Sequence, residues 1–129
     1  MPWVEIFSVF VVSHLVGDFV LQTEWQAKNK QGGLFDPRAR GALLSHIVTY
    51  TLAFVPAFIW LADSLGAGVF WLAALLAVPH LIQDDGTLLD RFMIIVKHAD
   101  PHEHPILKLT VDQTFHLVAL FLTALVAAS

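Results

Sequence analysis

The chain has 129 residues, 57% of them hydrophobic and only 14% charged, and its mean hydropathy is +0.68. Soluble domains are nearer half apolar and one quarter charged, so this composition indicates a protein that sits in lipid. The length permits one domain over residues 1–129, the net charge of −4 gives no reason to expect nucleic acid as a partner, and the lack of cysteine excludes disulfides and thiolate metal sites.

The first apolar segment covers residues 3–25, close to the length of about 20 residues that a helix needs to cross the hydrocarbon core. No basic stretch precedes it, so we expect it to stay in the mature protein. Its sequence HLVGDFVLQ carries His14, Asp18 and Gln22 at intervals of four residues. Residues at this interval share one face of an α-helix, and the segment therefore has a polar stripe in apolar surroundings.

Three further apolar segments follow, at residues 41–62, 66–84 and 109–128. The stretch KNKQGGLFDPRAR, rich in glycine and charge, predicts a loop between the first two segments, and ADSLGAG predicts a short turn between the second and third. No segment alternates as a strand does. The sequence therefore predicts an all-α fold, an integral membrane bundle of four transmembrane helices.

The amphipathic stretch TLLDRFMIIVKHA, after the third segment, has two interpretations. It forms a short helix at the membrane surface, between the third and fourth spans, or it continues the third helix beyond Gly86. We favour the interfacial helix. Asp85 and Asp90, at its start, are expected to face water, and HADPHEHP is expected to be a solvated loop despite its histidines.

Basic residues indicate how the bundle is oriented. In an antiparallel bundle all seven fall in or beside the first and third loops, on one side: Lys28, Lys30, Arg38, Arg40, Arg91, Lys97 and Lys108. The positive-inside rule places these loops in the cytoplasm and both termini outside. We therefore expect a multi-pass protein of the plasma (inner) membrane, surrounded by membrane lipids, and a homo-oligomer is compatible with its small size.

Ionisable side chains from all four predicted helices lie at a similar depth, near the cytoplasmic ends. This polar layer consists of His14, Asp18, His46, His80, Asp84, Asp112 and His116. An ionisable group near the centre of a membrane helix costs at least about 2.5–3.5 kcal/mol, so such groups face the protein interior and find partners. Gln22 and Gln113 are expected to be neighbours of the layer, and Tyr50 is expected to make a structural hydrogen bond.

The residue types in this layer suit a metal ion. Imidazole nitrogens and carboxylate oxygens bind zinc, manganese or iron, and pairs at i and i+4 present two ligands on one helix face. We predict that these seven residues hold one or two divalent ions, with zinc favoured, and that Asp18, Asp84 or Asp112 acts as the catalytic carboxylate that accepts a proton. A single His–Asp pair is more often structural, but three pairs at one depth favour a functional site.

The same motifs resemble those of a known family. They are H-x-x-x-D-F-x-L-Q from His14, E-W-x-A-x-x-K from Glu24, L-L-x-H-x-x-x-Y around His46, H-x-x-x-D from His80 and D-Q-x-x-H from Asp112. Over nearly the whole chain they resemble a family of small prokaryotic membrane proteins called domain of unknown function 3307. The polar pattern is also similar, more distantly, to that of membrane-bound metal-dependent hydrolases.

Three functions are compatible with the sequence. The leading hypothesis is a membrane-embedded, metal-dependent hydrolase that acts near the cytoplasmic leaflet on an amphiphilic substrate, such as a lipid phosphate. The alternatives are a transporter of metal ions or protons and a structural membrane scaffold with a buried polar layer. The polar residues cluster at one depth and trace no path to the outer face, which disfavours transport.

Overall fold

Helices account for every regular element of the computed structural model, which describes residues 2–129 and contains no strand in that range. Seven α-helices follow one another along the chain: α1 Trp3–Leu15, α2 Glu24–Asn29, α3 Pro37–Ala53, α4 Val55–Leu65, α5 Gly68–Asp85, α6 Thr87–Ile95 and α7 Pro105–Ala128. The predicted all-α class is confirmed.

The first apolar segment ends earlier than the sequence predicted. After α1 the chain makes a π-helical turn, Val16–Val20, and then leaves the helix. A new helix begins at Glu24 because Thr23 and Gln26 form a capping box, in which each side chain accepts a hydrogen bond of 3.1 Å from the other's backbone N–H. The predicted end at residue 25 is wrong, since this capping signal overrides the apolar pattern.

The first predicted loop is partly helical. Lys28 lies in α2, and α3 begins at Pro37, four residues before the predicted start at Gly41. The Asp36 side chain caps α3 by accepting a hydrogen bond of 2.9 Å from the N–H of Arg38. Proline is favoured at the first position of a helix because its missing N–H has no partner there.

The second predicted span is bent. Its two helices, α3 and α4, meet at an angle of 56° around Phe54. Pro56 lies in the first turn of α4, where a proline cannot donate a hydrogen bond back to the preceding helix. The bend is therefore large enough to divide the predicted second segment into two helices.

Two continuous helical stretches are long and apolar enough to cross a membrane, Trp3–Val20 and Pro105–Ala128, and the bent pair makes a third if it counts as one span. Helix α5 is not among them. Its last turns carry His80, Gln83, Asp84 and Asp85, which lower its mean hydropathy. That the chain crosses the membrane four times stays a prediction.

Helix α6 is separate from α5. Gly86, between them, has a φ of +82°, a left-handed conformation that favours glycine. The amphipathic stretch is thus a helix of its own and not a continuation of the third segment. Its location at a membrane surface stays a prediction.

The apolar core lies at one end of the bundle. It brings together the first half of α1, the α3–α4 junction, the first half of α5 and the second half of α7: Ile6, Phe10, Tyr50, Phe54, Ala57, Leu61, Leu72, Leu76, Leu120 and Ala124. Because the chain runs up and down, the opposite halves of the same helices meet at the other end, where the polar residues lie.

Candidate functional site

The polar layer forms directly beside the apolar core. His14 lies at the end of α1, Asp18 in the π-helical turn and His46 in α3. Helix α5 supplies His80 and Asp84, and α7 supplies Asp112 and His116. All of them are buried except Asp112, which is half-buried. The four-residue spacings in the sequence thus converge on one place in the fold.

Four of these side chains point one atom each toward a common centre. Nε2 of His46 lies 2.6 Å from Oδ2 of Asp84, 3.1 Å from Oδ1 of Asp18 and 3.1 Å from Nε2 of His80. Nε2 of His80 in turn lies 3.3 Å from the same Asp18 oxygen and 3.1 Å from the same Asp84 oxygen. Two nitrogens and two oxygens, contributed by three separate segments, therefore meet in a single cluster.

The π-helical turn places Asp18 in this cluster. A π-helical turn accommodates an extra residue and is often found at functional sites. At Gly17 the turn packs directly on Tyr50, where an added β-carbon would lie 2.7 Å from Cδ2 of the tyrosine ring. The same ring stacks on His80 with its centroid 3.5 Å away and thereby fixes the orientation of that imidazole.

Asp84 is the most highly connected member of the layer. One carboxylate oxygen, Oδ2, faces His46 and His80 and also accepts a hydrogen bond of 2.9 Å from the Lys30 ammonium. The other oxygen, Oδ1, lies 3.0 Å from Nε2 of His116. Gln22 holds Lys30 in place by accepting a second hydrogen bond of 2.6 Å from its ammonium.

His14 stands beside the four-atom cluster with both ring nitrogens already engaged. Nε2 donates to Oε1 of Gln113 at 2.8 Å, and Nδ1 accepts from the hydroxyl of Tyr50 at 3.0 Å. Oδ2 of Asp18 lies farther from Nδ1 of His14, at 3.7 Å. A neutral imidazole has one donor and one acceptor nitrogen, so this hydrogen-bond set leaves no lone pair of His14 for a metal.

His116 and Asp112 form a second group with Asp84. Nδ1 of His116 donates to the backbone oxygen of Asp112 at 2.7 Å, so it is Nε2 that points at Asp84. A hydrogen bond from the far nitrogen to a carbonyl is the usual way in which a metal-binding imidazole is held. Ligand atoms of these three residues lie within 4.8 Å of one another, as do those of the four-atom cluster.

The charges of the layer do not balance by themselves. Asp18, Asp84 and Asp112 carry three negative charges. Lys30 supplies one positive charge, and His116 supplies a second because both of its ring nitrogens face oxygen acceptors, so one negative charge remains while the other imidazoles are neutral. Protonating His46 or His80 would offset it, and the Nδ1 atoms of both rings are buried without a hydrogen-bond partner. Nδ1 carries a proton both in a charged ring and in a ring that binds a metal through Nε2, so the unpaired Nδ1 atoms do not distinguish protonation from metal binding.

A divalent cation fits both the charge and the geometry of the four-atom cluster. It would supply the missing positive charge and leave the His46 and His80 imidazoles neutral. In a tetrahedral site with bonds of about 2.0–2.2 Å, the ligand atoms lie about 3.3–3.6 Å apart. The nitrogen–oxygen and nitrogen–nitrogen separations of 2.6–3.3 Å require these ligand atoms to move apart by less than about 1 Å.

Comparison with known proteins places the chain in a family. Residues 6–129 match the family described as "Protein of unknown function (DUF3307)". The chain belongs to the DUF3307 family. No curated protein and no solved structure matches this DUF3307 protein. The resemblance seen in the sequence motifs is thereby confirmed, whereas the more distant likeness to metal-dependent hydrolases stays an expectation.

The sequence did not predict the structural roles of two residues of this DUF3307 protein, Lys30 and Asp85. Lys30 was assigned to the basic loop and to the E-W-x-A-x-x-K motif but not to the polar layer, although it lies against Asp84. Asp85 was expected to face water, but it is 2% exposed and holds the first loop in place. Its Oδ1 accepts the N–H of Leu34 at 2.9 Å, and its backbone oxygen accepts that of Gly32 at 2.8 Å. The glycine pair of the loop was the available signal of a tight turn, since Gly32 has a φ of +80°, a left-handed conformation that favours glycine.

The histidine-rich stretch HADPHEHP lies outside the polar layer. His98, His102 and His104 are exposed, and none belongs to either group of converging ligand atoms in the described part of the chain. Gln113 and Tyr50, in contrast, contact the layer through His14, in agreement with their predicted supporting role.

Proposed function

We propose that this protein is a membrane-embedded, metal-dependent hydrolase that acts on an amphiphilic substrate near the cytoplasmic leaflet. Asp18, His46, His80 and Asp84 would bind one divalent ion, and Asp112 would accept a proton from the attacking water. The observation that carries the proposal is the convergence of two imidazole nitrogens and two carboxylate oxygens within 4.8 Å of one another, with each nitrogen 2.6–3.3 Å from both oxygens, in a buried layer with excess negative charge.

The donor set favours zinc, with manganese or iron as alternatives. Two nitrogen and two oxygen ligands suit zinc, which is nearly always tetrahedral in structural sites and keeps one position open for water in catalytic ones. A bound divalent ion acidifies water and polarises an ester or phosphoryl oxygen. If one of the four ligands makes way for water, the remaining three correspond to a catalytic zinc site.

Asp112 is the carboxylate best placed to receive the proton. It is outside the four-atom cluster, and its side chain is 21% exposed, whereas those of Asp18 and Asp84 are 6% and 3% exposed. It also lines the cavity that reaches the layer. The hydrogen bond that its side chain accepts is long, since Nε2 of Gln113 donates to Oδ2 of Asp112 at 3.4 Å. An acceptor of this kind must reach both the substrate and the layer, and Asp112 meets both conditions.

The membrane setting is supported by the outward-facing side chains. Large apolar residues cover the outer faces of the helices, among them Val12, Val48, Ile59, Phe70 and Leu122, each more than half exposed. Contiguous apolar surface of this kind is normal for a protein in lipid and unusual in water. We propose four crossings of the plasma membrane, with α3 and α4 as one bent span, the basic loops in the cytoplasm and both termini outside.

Transport is a weaker candidate because the outer half of the bundle is apolar. Phe10, Phe54 and Phe58 stack on one another in the direction of the outer end, and Leu61 and Leu72 are almost fully buried beside them. A path for protons or ions needs polar groups or water along its length. A structural scaffold remains the second candidate, since the hydrogen bonds of the layer alone would fix the positions of the four segments.

The metal content of detergent-purified protein tests the proposal. Cells are grown with zinc, manganese and iron available, chelators are omitted, and bound metal is measured in the native chain and in the His46→Gln and His80→Gln variants. We expect about one equivalent in the native chain and a loss of affinity of at least tenfold in both variants. Hydrolysis of a panel of lipid phosphates and esters, with and without added metal, should follow the metal content.

His14→Gln and His104→Gln are the matched controls. The first changes a buried imidazole of the same layer that the proposal leaves outside the ligand set, and the second changes an exposed loop histidine. Both should keep their metal, and circular dichroism should show native helicity in all four variants. A native chain without metal would overturn the proposal in favour of the scaffold, and a metal-loaded chain that hydrolyses nothing would overturn the enzymatic part alone.

A further inference from the structure

A cavity of about 370 Å³ leads from the surface to the polar layer. Its walls come from the first loop, α5, α6 and the start of α7, and they combine charged with apolar groups: Lys30, Asp84, Leu89, His102, Lys108 and Asp112. Two of the three carboxylates of the layer are therefore reachable from outside through this cavity. It is the natural approach route for a substrate.

The two lysines of the cavity have hydrogen-bond donors to spare. A lysine ammonium has three donors. Lys30 uses one for Gln22 and one for Asp84, and Lys108 forms an ion pair with Oδ1 of Asp90, at 2.9 Å, that occupies one side of its ammonium group. Three N–H donors thus remain on two ammonium groups, whose side chains are 12% and 23% exposed. Donors of this kind, partly shielded from water, bind an anion.

An apolar groove continues from this cavity. It has a volume of about 270 Å³ and shares Gln83, Leu89 and Asp112 with the cavity wall. Its other walls are apolar side chains of α5, α6 and α7: Ile82, Leu88, Phe92 and Phe115. Phe92 and Phe115 meet edge to face at 5.0 Å and brace the groove between α6 and α7. Leu88, at its mouth, is 60% exposed.

We infer that the cavity and the groove together form one binding site for a phosphate-bearing lipid. The phosphate lies between Lys30 and Lys108, and one hydrocarbon chain lies in the groove under α6. This inference rests on the proposed function and specifies the substrate class of the same site. The charges support it, because a divalent ion, Lys30 and His116 outweigh the three carboxylates of the layer, and Lys108 and Asp90 offset each other, so no excess of negative charge surrounds the spare donors.

A phosphate matches the head-group cavity better than a neutral ester does. Its terminal oxygens accept hydrogen bonds from several directions, as lysines that act as point charges require. The hydrocarbon chain accounts for the groove, since an apolar surface next to a polar cavity binds an amphiphile and gives little to free phosphate. Because the cavity and the groove share wall residues, the phosphate and the hydrocarbon chain of a single lipid can occupy them at the same time.

Lipid binding in nanodiscs tests this inference. The purified chain, in lipid nanodiscs of phosphatidylcholine, is titrated with phosphatidic acid and, in parallel, with inorganic phosphate. Lys108→Met removes a head-group donor, and Leu88→Trp fills the mouth of the groove at an exposed position where the larger ring does not disturb the core. We expect each variant to bind phosphatidic acid at least about tenfold more weakly, a change equivalent to 1.4 kcal/mol.

Lys97→Met and Ile95→Trp are the matched controls. Both positions are exposed and line none of the cavities described here, and Ile95 lies on the same helix as Leu88. These variants should bind phosphatidic acid as the native chain does. Metal content is measured in all four variants and should stay at the native level, because none changes a proposed ligand.

Two outcomes would overturn the inference. If inorganic phosphate binds as tightly as phosphatidic acid and Leu88→Trp has no effect, the groove holds no hydrocarbon chain. If phosphatidic acid binds no better than phosphatidylcholine or is insensitive to Lys108→Met, the cavity does not select phosphate. Loss of lipid selectivity with normal metal content contradicts this inference alone, whereas a chain without metal contradicts the proposed function whatever the lipid result.

Discussion

The two ends of the bundle are built from the same helices but are held together by different forces. At one end Phe10, Leu61, Leu72 and Leu120 pack as an apolar core with almost no exposed surface. At the other end His46, His80 and Asp84 meet through polar contacts as short as 2.6 Å. Helix α5 begins in the apolar core and ends in the polar layer, whereas α7 begins in the polar layer and ends in the apolar core.

The difference teaches what each end tolerates. Apolar packing depends on volume and shape and accepts substitutions of similar size. A buried polar layer is directional, so that removing one partner leaves others unpaired in surroundings of low polarity. We therefore expect changes in the apolar end to alter stability alone, and changes in the polar end to alter stability and metal binding together.

The largest effect is expected from Asp84→Ala. This change removes the contacts to His46, His80, His116 and Lys30 at once and leaves a lysine ammonium buried without its partner. Breaking a buried ion pair in this way costs about 3–5 kcal/mol, so the free energy of unfolding in detergent micelles should fall by about that amount, and metal binding should be lost. Asp63→Ala removes an exposed carboxylate as a control, and equal stability of the two variants would contradict the prediction.

Leu72→Ala makes the corresponding break in the apolar end. Leu72 is 3% exposed, and its truncation leaves a cavity among tightly packed side chains. In soluble proteins such a change costs about 2–5 kcal/mol, and we expect the lower end of the range, since lipid is as apolar as the core and the transfer term shrinks. Metal content should not change. A fall in metal content proportional to the loss of stability would show that the two ends are not separable.

Lys30→Met sharpens the comparison between buried and exposed charges. Lys30 contacts Asp84 at 2.9 Å with side chains 12% and 3% exposed, whereas Lys28 contacts Glu24 at 2.6 Å with side chains 70% and 79% exposed. We expect Lys30→Met to lower the free energy of unfolding by about 1.5–3 kcal/mol, because a charged hydrogen-bond donor to a buried carboxylate is lost. Lys28→Met should change it by less than about 1 kcal/mol. Equal effects would mean that Lys30 is solvated.

Gly17→Ala tests the boundary between the two ends. An added methyl group at this position collides with Tyr50, whose ring separates the apolar core from His80. Overpacking of this kind costs about 1–3 kcal/mol, measured again by unfolding in micelles. The matched control is Gly41→Ala in α3, where a β-carbon meets nothing within 4 Å and alanine should stabilise the helix by about 0.5–1 kcal/mol. A stable Gly17→Ala variant would show that Tyr50 can move freely.

Much of the fold could be predicted from local patterns, and the errors have identifiable causes. The apolar segments and the separation of the charged loops follow from hydropathy, which is a property of each segment alone. The early end of the first segment and the early start of α3 depend on caps, at Thr23 and Asp36, that compete with hydropathy. The left-handed Gly86 decided the choice between a continued helix and a new one.

By itself, the sequence determined the helical class, the family motifs and the concentration of histidines and carboxylates toward one end of the bundle. Four-residue spacings and hydropathy are read along one helix at a time, and they need no knowledge of its neighbours. Only the tertiary structure decided how these residues divide their roles. In the folded chain both ring nitrogens of His14 are hydrogen-bonded, one to Gln113 and one to Tyr50. Lys30 donates a hydrogen bond to Asp84, which is 54 residues away in the sequence. Such pairings depend on the rotation and packing of the helices against one another, because a side chain's partner across the bundle is set by geometry that no single helix contains.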